Sequence, residues 1–176
     1  MWLIGAAVAF LLLFKGKSLA NPLSNSGNMT ISPAQLQLTA DTETFQPNTY
    51  SDGVDSSGNQ AYSIGYGHQL TPGESYPNGI SQADALQLLN SDMGNVIDAI
   101  NNYGLSLTQG QFDALADFGY SAGVGALAKA IKLFPAGVPD YFLQYVYWHP
   151  NGPGTDAVFS QNLQDRRNVE VQTWNS

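Results

Sequence analysis

Three side chains in the front third of the chain have the types and spacing for acid–base chemistry on a sugar bond. Glu43 closes a stretch that reads as a helix. Asp52 follows nine positions later across an apparent turn, and Ser63 opens the strand-like run Ser63-Ile64-Gly65-Tyr66-Gly67-His68. Cleaving a glycosidic bond takes one carboxylic acid to protonate the leaving oxygen. It takes a second group to face the developing oxocarbenium charge or to activate water. A carboxyl at a helix–strand junction, a second carboxylate and a hydroxyl meet that need. His68 reads as a hydrogen-bonded residue at the strand end rather than a proton shuttle. Gly65 and Gly67 suit close backbone approach. They form no phosphate loop, because no Lys-Ser or Lys-Thr pair follows them.

The elements that must position these groups follow from local signals. Ser32-Pro33-Ala34-Gln35 predicts a helix start, with serine as N-cap, proline in the first turn and glutamine three positions after the cap. That helix should carry Leu36 and Ala40 inward and end near Glu43. Asp55 to Asn59 reads as a turn, and Ala61 to Tyr66 as a short strand. A second capping box at Ser81-Gln82-Ala83-Asp84 opens a helical row of Leu86, Leu89, Met93, Val96 and Ile100. Thr108-Gln109-Gly110-Gln111 caps a helix with Phe112, Leu115 and Ala116 on one face. Shorter helices are expected over 126–134 and 140–148, and a last one over 160–174. Tyr141, Phe142, Tyr145, Val146 and Trp148 fall at helical spacing and read as core. Without internal repeats, the order of helix, small sheet and many helices predicts an α+β fold with its strands near the front.

Composition narrows the functional classes. The 176 residues suit one compact domain with a short appendage. Fourteen acidic residues against six basic ones leave a formal charge of -8, so binding nucleic acid by phosphate neutralisation is excluded. The absence of cysteine excludes disulfides, thiolate catalysis and thiolate metal sites. His68 and His149, the only histidines, lie too far apart for a histidine metal motif, and neither a metal nor another cofactor is expected.

The N-terminus carries a different signal. Trp2 to Phe14 is apolar or glycine throughout and is closed by Lys15-Gly16-Lys17. As a helix its thirteen residues reach about 20 Å. Extension to Ala20 with snorkelling lysines approaches the span of a bilayer. Residues 1–20 therefore read as an N-terminal apolar helix serving as a membrane anchor. Its lysines favour a cytoplasmic side for the rest of the chain. A cleaved signal peptide ending at Ser18-Leu19-Ala20 is the rival reading. Residues 21–31 read as a flexible linker, and 32–176 as the catalytic domain.

Taken together, the motifs resemble the phage lysozyme family, the endolysin muramidases of glycoside hydrolase family twenty-four. Its pattern of a helix-end glutamate, a Tyr-x-Asp turn and a Thr-Ile-Gly-Tyr-Gly-His strand is met by Glu43, Tyr50-Ser51-Asp52 and Ser63 to His68. The likeness continues through Ile80 to Ala85, Leu107 to Leu115, Phe118, Gly123 to Leu127, Arg166-Arg167, Glu170 and Trp174. It implies a lysozyme-like fold of a small sheet lobe and a larger helical lobe with a cleft between. It implies hydrolysis of the β-1,4 bond between N-acetylmuramic acid and N-acetylglucosamine in peptidoglycan glycan strands, without a metal, during phage breach of the wall. By this likeness Glu43 is the general acid, Asp52 the second carboxylate and Ser63 the hydroxyl that positions water. Arg166 is expected to point towards the cleft and pair with Glu43; an ion pair of Arg166 or Arg167 with Glu170 or Asp165 is the alternative. Three features depart from the pattern: Ser63 in place of threonine, Thr44 where glycine is common, and ten residues between Asp52 and Ser63. The departures leave two further readings open. One is a lytic transglycosylase, which works with a single glutamate. The other is a catalytically quiet lysozyme-fold component of a membrane-containing virion. With its anchor, the protein is expected at a membrane, including that of a virion, and acting on the cell wall.

Overall fold

A computed structural model describes residues 28–54, 59–149 and 156–176. The expected anchor at 1–20 and most of the turn at 55–59 lie outside the described residues. Among those described, no helix is long and apolar enough to cross a membrane. The described chain forms two compact units, Pro33–Asn95 on one hand and Asn28–Ser32 with Val96–Ser176 on the other.

The first unit opens with α1 (Pro33–Thr42). Its inward residues differ from the expectation: Gln35, Thr39 and Ala40 are buried, whereas Leu36 is only half-buried. The two polar residues, one turn apart, offset their burial partly through each other, Gln35 Nε2 donating to Thr39 Oγ1 at 3.4 Å. A three-stranded antiparallel sheet follows in sequential order: β1 (Gln46–Val54), β2 (Gln60–Gly65) and β3 (His68–Gln69). Tyr50 pairs with Ser63 and Ser51 with Tyr62, while irregularities interrupt the register before Tyr50 and after Ser51.

Helix α2 (Gln82–Asp92) contributes Ala85 and Leu89 to a core shared with Ile64 and Met93. Its cap is one-sided. Ser81 Oγ accepts from the Asp84 amide at 3.2 Å, but also donates to the Asp84 carboxylate at 2.6 Å, so the carboxylate meets the hydroxyl. The single row expected from Leu86 to Ile100 divides at Met93, and α3 (Gly94–Asn102) carries the buried Val96 and Ile100.

In the second unit, α4 (Gln109–Ala122) is buried from Phe112 to Gly119. Its capping box is complete: Thr108 Oγ1 accepts from the Gln111 amide, and Gln111 Oε1 accepts from the Thr108 amide, both at 3.1 Å. Around it lie α5 (Val124–Ile131), α6 (Val138–Phe142) and α7 (Gln161–Trp174), the last capped by Ser160. Phe118 is the hub. Its ring stacks on Phe142 at 4.4 Å, and the Arg167 guanidinium lies over it at 5.0 Å.

One expected helix fails in this unit. The helix predicted to reach Trp148 stops at Phe142; Tyr147–Trp148 instead form β4, paired antiparallel with β5 (Val158–Phe159). The strands are therefore not confined to the front of the chain, and Trp148 is exposed rather than core. Periodicity misleads here because Phe142 and Val146 are buried at helical spacing although no helix joins them. Residues 28–31, read as linker, are held within this unit. Met29 exchanges two 3.0 Å bonds with the Asn101 side chain, Gln109 Nε2 donates to the Thr30 carbonyl at 2.9 Å, and Ile31 is buried.

Candidate active site

Glu43 is the first residue beyond α1. Thr42 Oγ1 donates back to the Thr39 carbonyl at 2.7 Å, and the Glu43 amide reaches the Ala40 carbonyl at 3.1 Å. The last turn is tightened in this way, and the Glu43 side chain emerges half-buried where the chain leaves for β1.

Asp52 lies in β1 rather than in the turn expected of it, within the irregular stretch between Ser51 and Val54. Gly53 follows at φ +83°, a conformation that costs an L side chain about 1–2 kcal/mol and costs glycine little. Gln60 braces the irregularity from β2, its amide donating to Ser51 Oγ at 2.8 Å and to the Gly53 carbonyl. The residues on either side of Asp52 are thus held by one side chain.

Ser63, opposite Tyr50 on β2, is fully buried and donates to Asp52 Oδ2 at 2.7 Å. Its hydroxyl therefore addresses the carboxylate rather than solvent. Tyr50 lies opposite Ser63 across the β1–β2 pair. Burial first, then the charge of Asp52, raise the Tyr50 pKa; Ser63 opposes this, and the charge of Glu43 adds to the rise. One phenol thus feels both carboxylates, which brings Glu43, Asp52 and Ser63 into one neighbourhood. In the sequence Tyr50 stands out only as part of a motif. Its register position opposite Ser63 is the signal that the linear order lacks.

His68 is structural in its contacts. Nδ1 meets Asp92 at 2.9 Å, at the end of α2, and Nε2 meets Glu74 at 3.0 Å. Burial pulls its pKa down, but the hydrogen bonds and charges of the two carboxylates outweigh this and raise it. Glu74 also accepts from the Thr71 amide and hydroxyl, each at 3.0 Å, and from Tyr76 at 2.7 Å. The Thr71 amide first, then Tyr76, hold the Glu74 carboxyl down at about 2. The partners of His68 follow it in sequence by 6 and 24 residues, a separation that no local pattern reveals.

In the second unit, Arg166 is held by Asp117, Nε to Oδ2 at 3.0 Å and Nη2 to Oδ1 at 2.9 Å. Glu170 lies 3.8 Å from Arg166 Nε. Arg167 is buried and pairs with Glu170 at 2.7 Å, while also donating to Ser121. Of the alternative ion pairs, those with Glu170 are present. Asp165 instead accepts from Gln161 at 2.9 Å. Asp117, an acid amid the apolar α4 sequence, carries no local signal of this role. Among the described residues no group of three or more His, Asp or Glu side chains could hold a metal ion.

A model of the phage lysozyme family matches residues 40–170, from just before Glu43 to Glu170. The chain belongs to the phage lysozyme family. The endolysin of Bacillus phage B103 is 38% identical over 74 residues, which cover 41% of this chain and 27% of that protein. The match to the endolysin of Bacillus phage PZA is similar, 36% over 76 residues and 28% of its length, so the chain spans about a quarter of these curated relatives. Among solved structures, the endolysin from Escherichia coli O157:H7 phage FAHEc1 is 26% identical with a TM-score of 0.68, covering 84% of this chain and 94% of that one. The muramidase domain of SpmX from Asticaccaulis excentricus has the same TM-score at 24% identity, covering 84% and 98%. The α+β, lysozyme-like fold anticipated from the motifs is therefore present. This family member follows the expected order of helix, sheet and helices, with the added β4–β5 ribbon.

Proposed function

We propose that this phage lysozyme family member is a phage peptidoglycan hydrolase, a muramidase of glycoside hydrolase family twenty-four cleaving the β-1,4 bond between N-acetylmuramic acid and N-acetylglucosamine. The observation that carries this reading is the 2.7 Å hydrogen bond from Ser63 to Asp52, which joins two of the three motif positions inside the stretch matched by the family. Glu43 is the general acid that protonates the leaving oxygen. Asp52 is the second carboxylate, facing the developing positive charge or the attacking water. Ser63 steadies Asp52 and His68 supports the strand end. Arg166 is a supporting residue, its guanidinium held by Asp117.

Glu43→Gln is the test, since it keeps the shape and removes the proton to be donated. Release of reducing sugar from purified cell walls should fall by roughly 10²–10⁴-fold, with thermal unfolding unchanged. Unchanged release would remove Glu43 from its role. Products lighter by one water than hydrolysis products, seen by mass spectrometry, would make the enzyme a lytic transglycosylase. Binding to walls without release would make it a quiet wall-binding component.

The reading includes a membrane anchor at residues 1–20, supported by the apolar run and its flanking lysines. The anchor would hold the enzyme at a membrane, that of the virion included, until it meets the wall. N-terminal sequencing of the mature protein tests it, and loss of those residues would exclude it.

A further inference from the structure

Asp52 sits where the ladder between β1 and β2 is interrupted, and one side chain spans the interruption. Ser51 pairs with Tyr62 and Val54 with Gln60, so Asp52 and Gly53 together face Ala61 alone. Two residues against one make a β-bulge, which unpairs part of the ladder and re-aims the side chain it carries. Gln60 closes it. Its amide nitrogen donates to Ser51 Oγ at 2.8 Å, to the Gly53 carbonyl and to the Ala61 carbonyl at 3.1 Å, two protons shared among three acceptors. The first two acceptors flank Asp52, and the third belongs to the residue opposite it. We propose that Gln60 is a positioning residue of the site: its amide clamps the bulge and so fixes the direction in which Asp52 presents its carboxylate.

The clamp and the Ser63 bond act on different parts of Asp52. Along β2, Ala61 and Ser63 are buried while Gln60 and Tyr62 are exposed, the alternation of a strand with one covered face. Ser63 reaches the carboxylate from the covered face, at 2.7 Å from Oδ2. Gln60 grips Ser51 and Gly53 from the exposed face. A carboxylate held by one hydroxyl still swings when the backbone beneath it moves, and Gly53, at φ +83°, is the residue type least restrained against such movement. Ten residues separate Asp52 from Ser63, a departure from the family pattern, so the clamp answers a need particular to this sequence. Because Gln60 is exposed, replacing it leaves the core untouched. The inference rests on the catalytic reading of Glu43 and Asp52, which it deepens.

The test uses the full-length protein on purified cell walls, with Glu43→Gln alongside. Gln60→Met keeps the length of the side chain and removes its donors. It should lower kcat about three- to ten-fold, the loss expected for one hydrogen bond, with KM changed by less than about two-fold. Thermal unfolding should be nearly unchanged, which separates loss of aim from loss of fold. Because Gln60 acts through Asp52, the same substitution added to Asp52→Asn, assayed at raised enzyme concentration, should cost less than about two-fold. An undiminished loss there would mean that Gln60 acts by another route, and would overturn the clamp. Should Gln60→Met fail to fold, Gln60→Asn takes its place. That variant keeps the amide but holds it one methylene short of the bulge, so the same loss of kcat is expected. A Glu43-dependent enzyme indifferent to the substitution at Gln60 overturns the clamp by itself. Activity indifferent to Glu43→Gln takes down the catalytic reading, and the clamp's meaning with it.

Discussion

Asp117 grips Arg166 with both carboxylate oxygens, at 2.9 and 3.0 Å, and both side chains are largely withdrawn from water, with 4% and 10% of their surface exposed. Fork-to-fork geometry of this kind fixes the guanidinium in direction as well as in place. The pair joins α4 to α7 beside the buried Arg167–Glu170 pair. There burial raises Glu170 well above the ordinary carboxyl range against the pull of Arg167. Charge in this layer is thus tolerated only because each group has a partner.

Asp117→Leu should accordingly cost about 3–5 kcal/mol, since it takes the bidentate partner from a largely buried guanidinium. The double variant Asp117→Leu with Arg166→Met should recover most of that loss, because it removes the buried charge that Asp117 balanced. Urea unfolding of both measures it. A double variant less stable than the single one would show that the two residues do not act as a pair.

The His68 cluster predicts how stability changes with pH. The folded-state pKa of His68 is raised above its ordinary 6.5, so the proton is bound more tightly in the folded state. Its contribution is complete below about pH 6.5 and is lost as pH rises through the folded value. Urea midpoints followed from pH 5 to 9 should fall across the upper part of that range in the wild type and stay flatter in His68→Gln. Glu74 acts in the opposite sense, its carboxyl being held near 2 against an ordinary 4.5. Its contribution is present above that range and is lost as pH falls towards 2, so Glu74→Gln should lessen acid sensitivity below pH 4.5.

Two glycines separate backbone strain from crowding. Both have positive φ, +83° at Gly53 and +74° at Gly79, but among the described residues a Cβ at Gly53 meets nothing within 4 Å, whereas at Gly79 it would lie 2.6 Å from the Pro47 carbonyl oxygen. That oxygen is backbone on β1 and already accepts the Ile80 amide at 2.8 Å. Gly53→Ala should lose about 1–2 kcal/mol, the cost of the left-handed conformation. Gly79→Ala should lose clearly more. Equal losses in thermal unfolding would mean that the Pro47 contact yields.

The reciprocal cap at Thr108 should contribute about 1 kcal/mol, seen on Thr108→Ala. Ser81→Ala should cost less, since the Asp84 carboxylate meets the Ser81 hydroxyl there. Equal losses would show that the geometry of the box is immaterial.

Most helices were legible because their signals are local. Ser160, Thr108 and Ser81 each cap a helix within one residue of the expected start, since a cap is decided by four consecutive residues. The motif strand from Ser63 was legible for the same reason. Less so was the interior of α1, where an apolar rule placed Leu36 inward and the fold chose Gln35 and Thr39. The β4–β5 ribbon was not legible, because its pairing joins residues across an intervening loop.

By itself the order of residues determined the family, the placing of Glu43 at a helix end and the nearness in sequence of Asp52 and Ser63, because each rests on short-range spacing. Only the tertiary structure decided what those groups touch: Tyr50 opposite Ser63, Asp92 and Glu74 on His68, Asp117 on Arg166. The reason is physical. A side chain's partners are chosen by strand register and helix packing, which bring together residues as far apart as Asp117 and Arg166, separated by 49 positions, and no short window along the chain contains both.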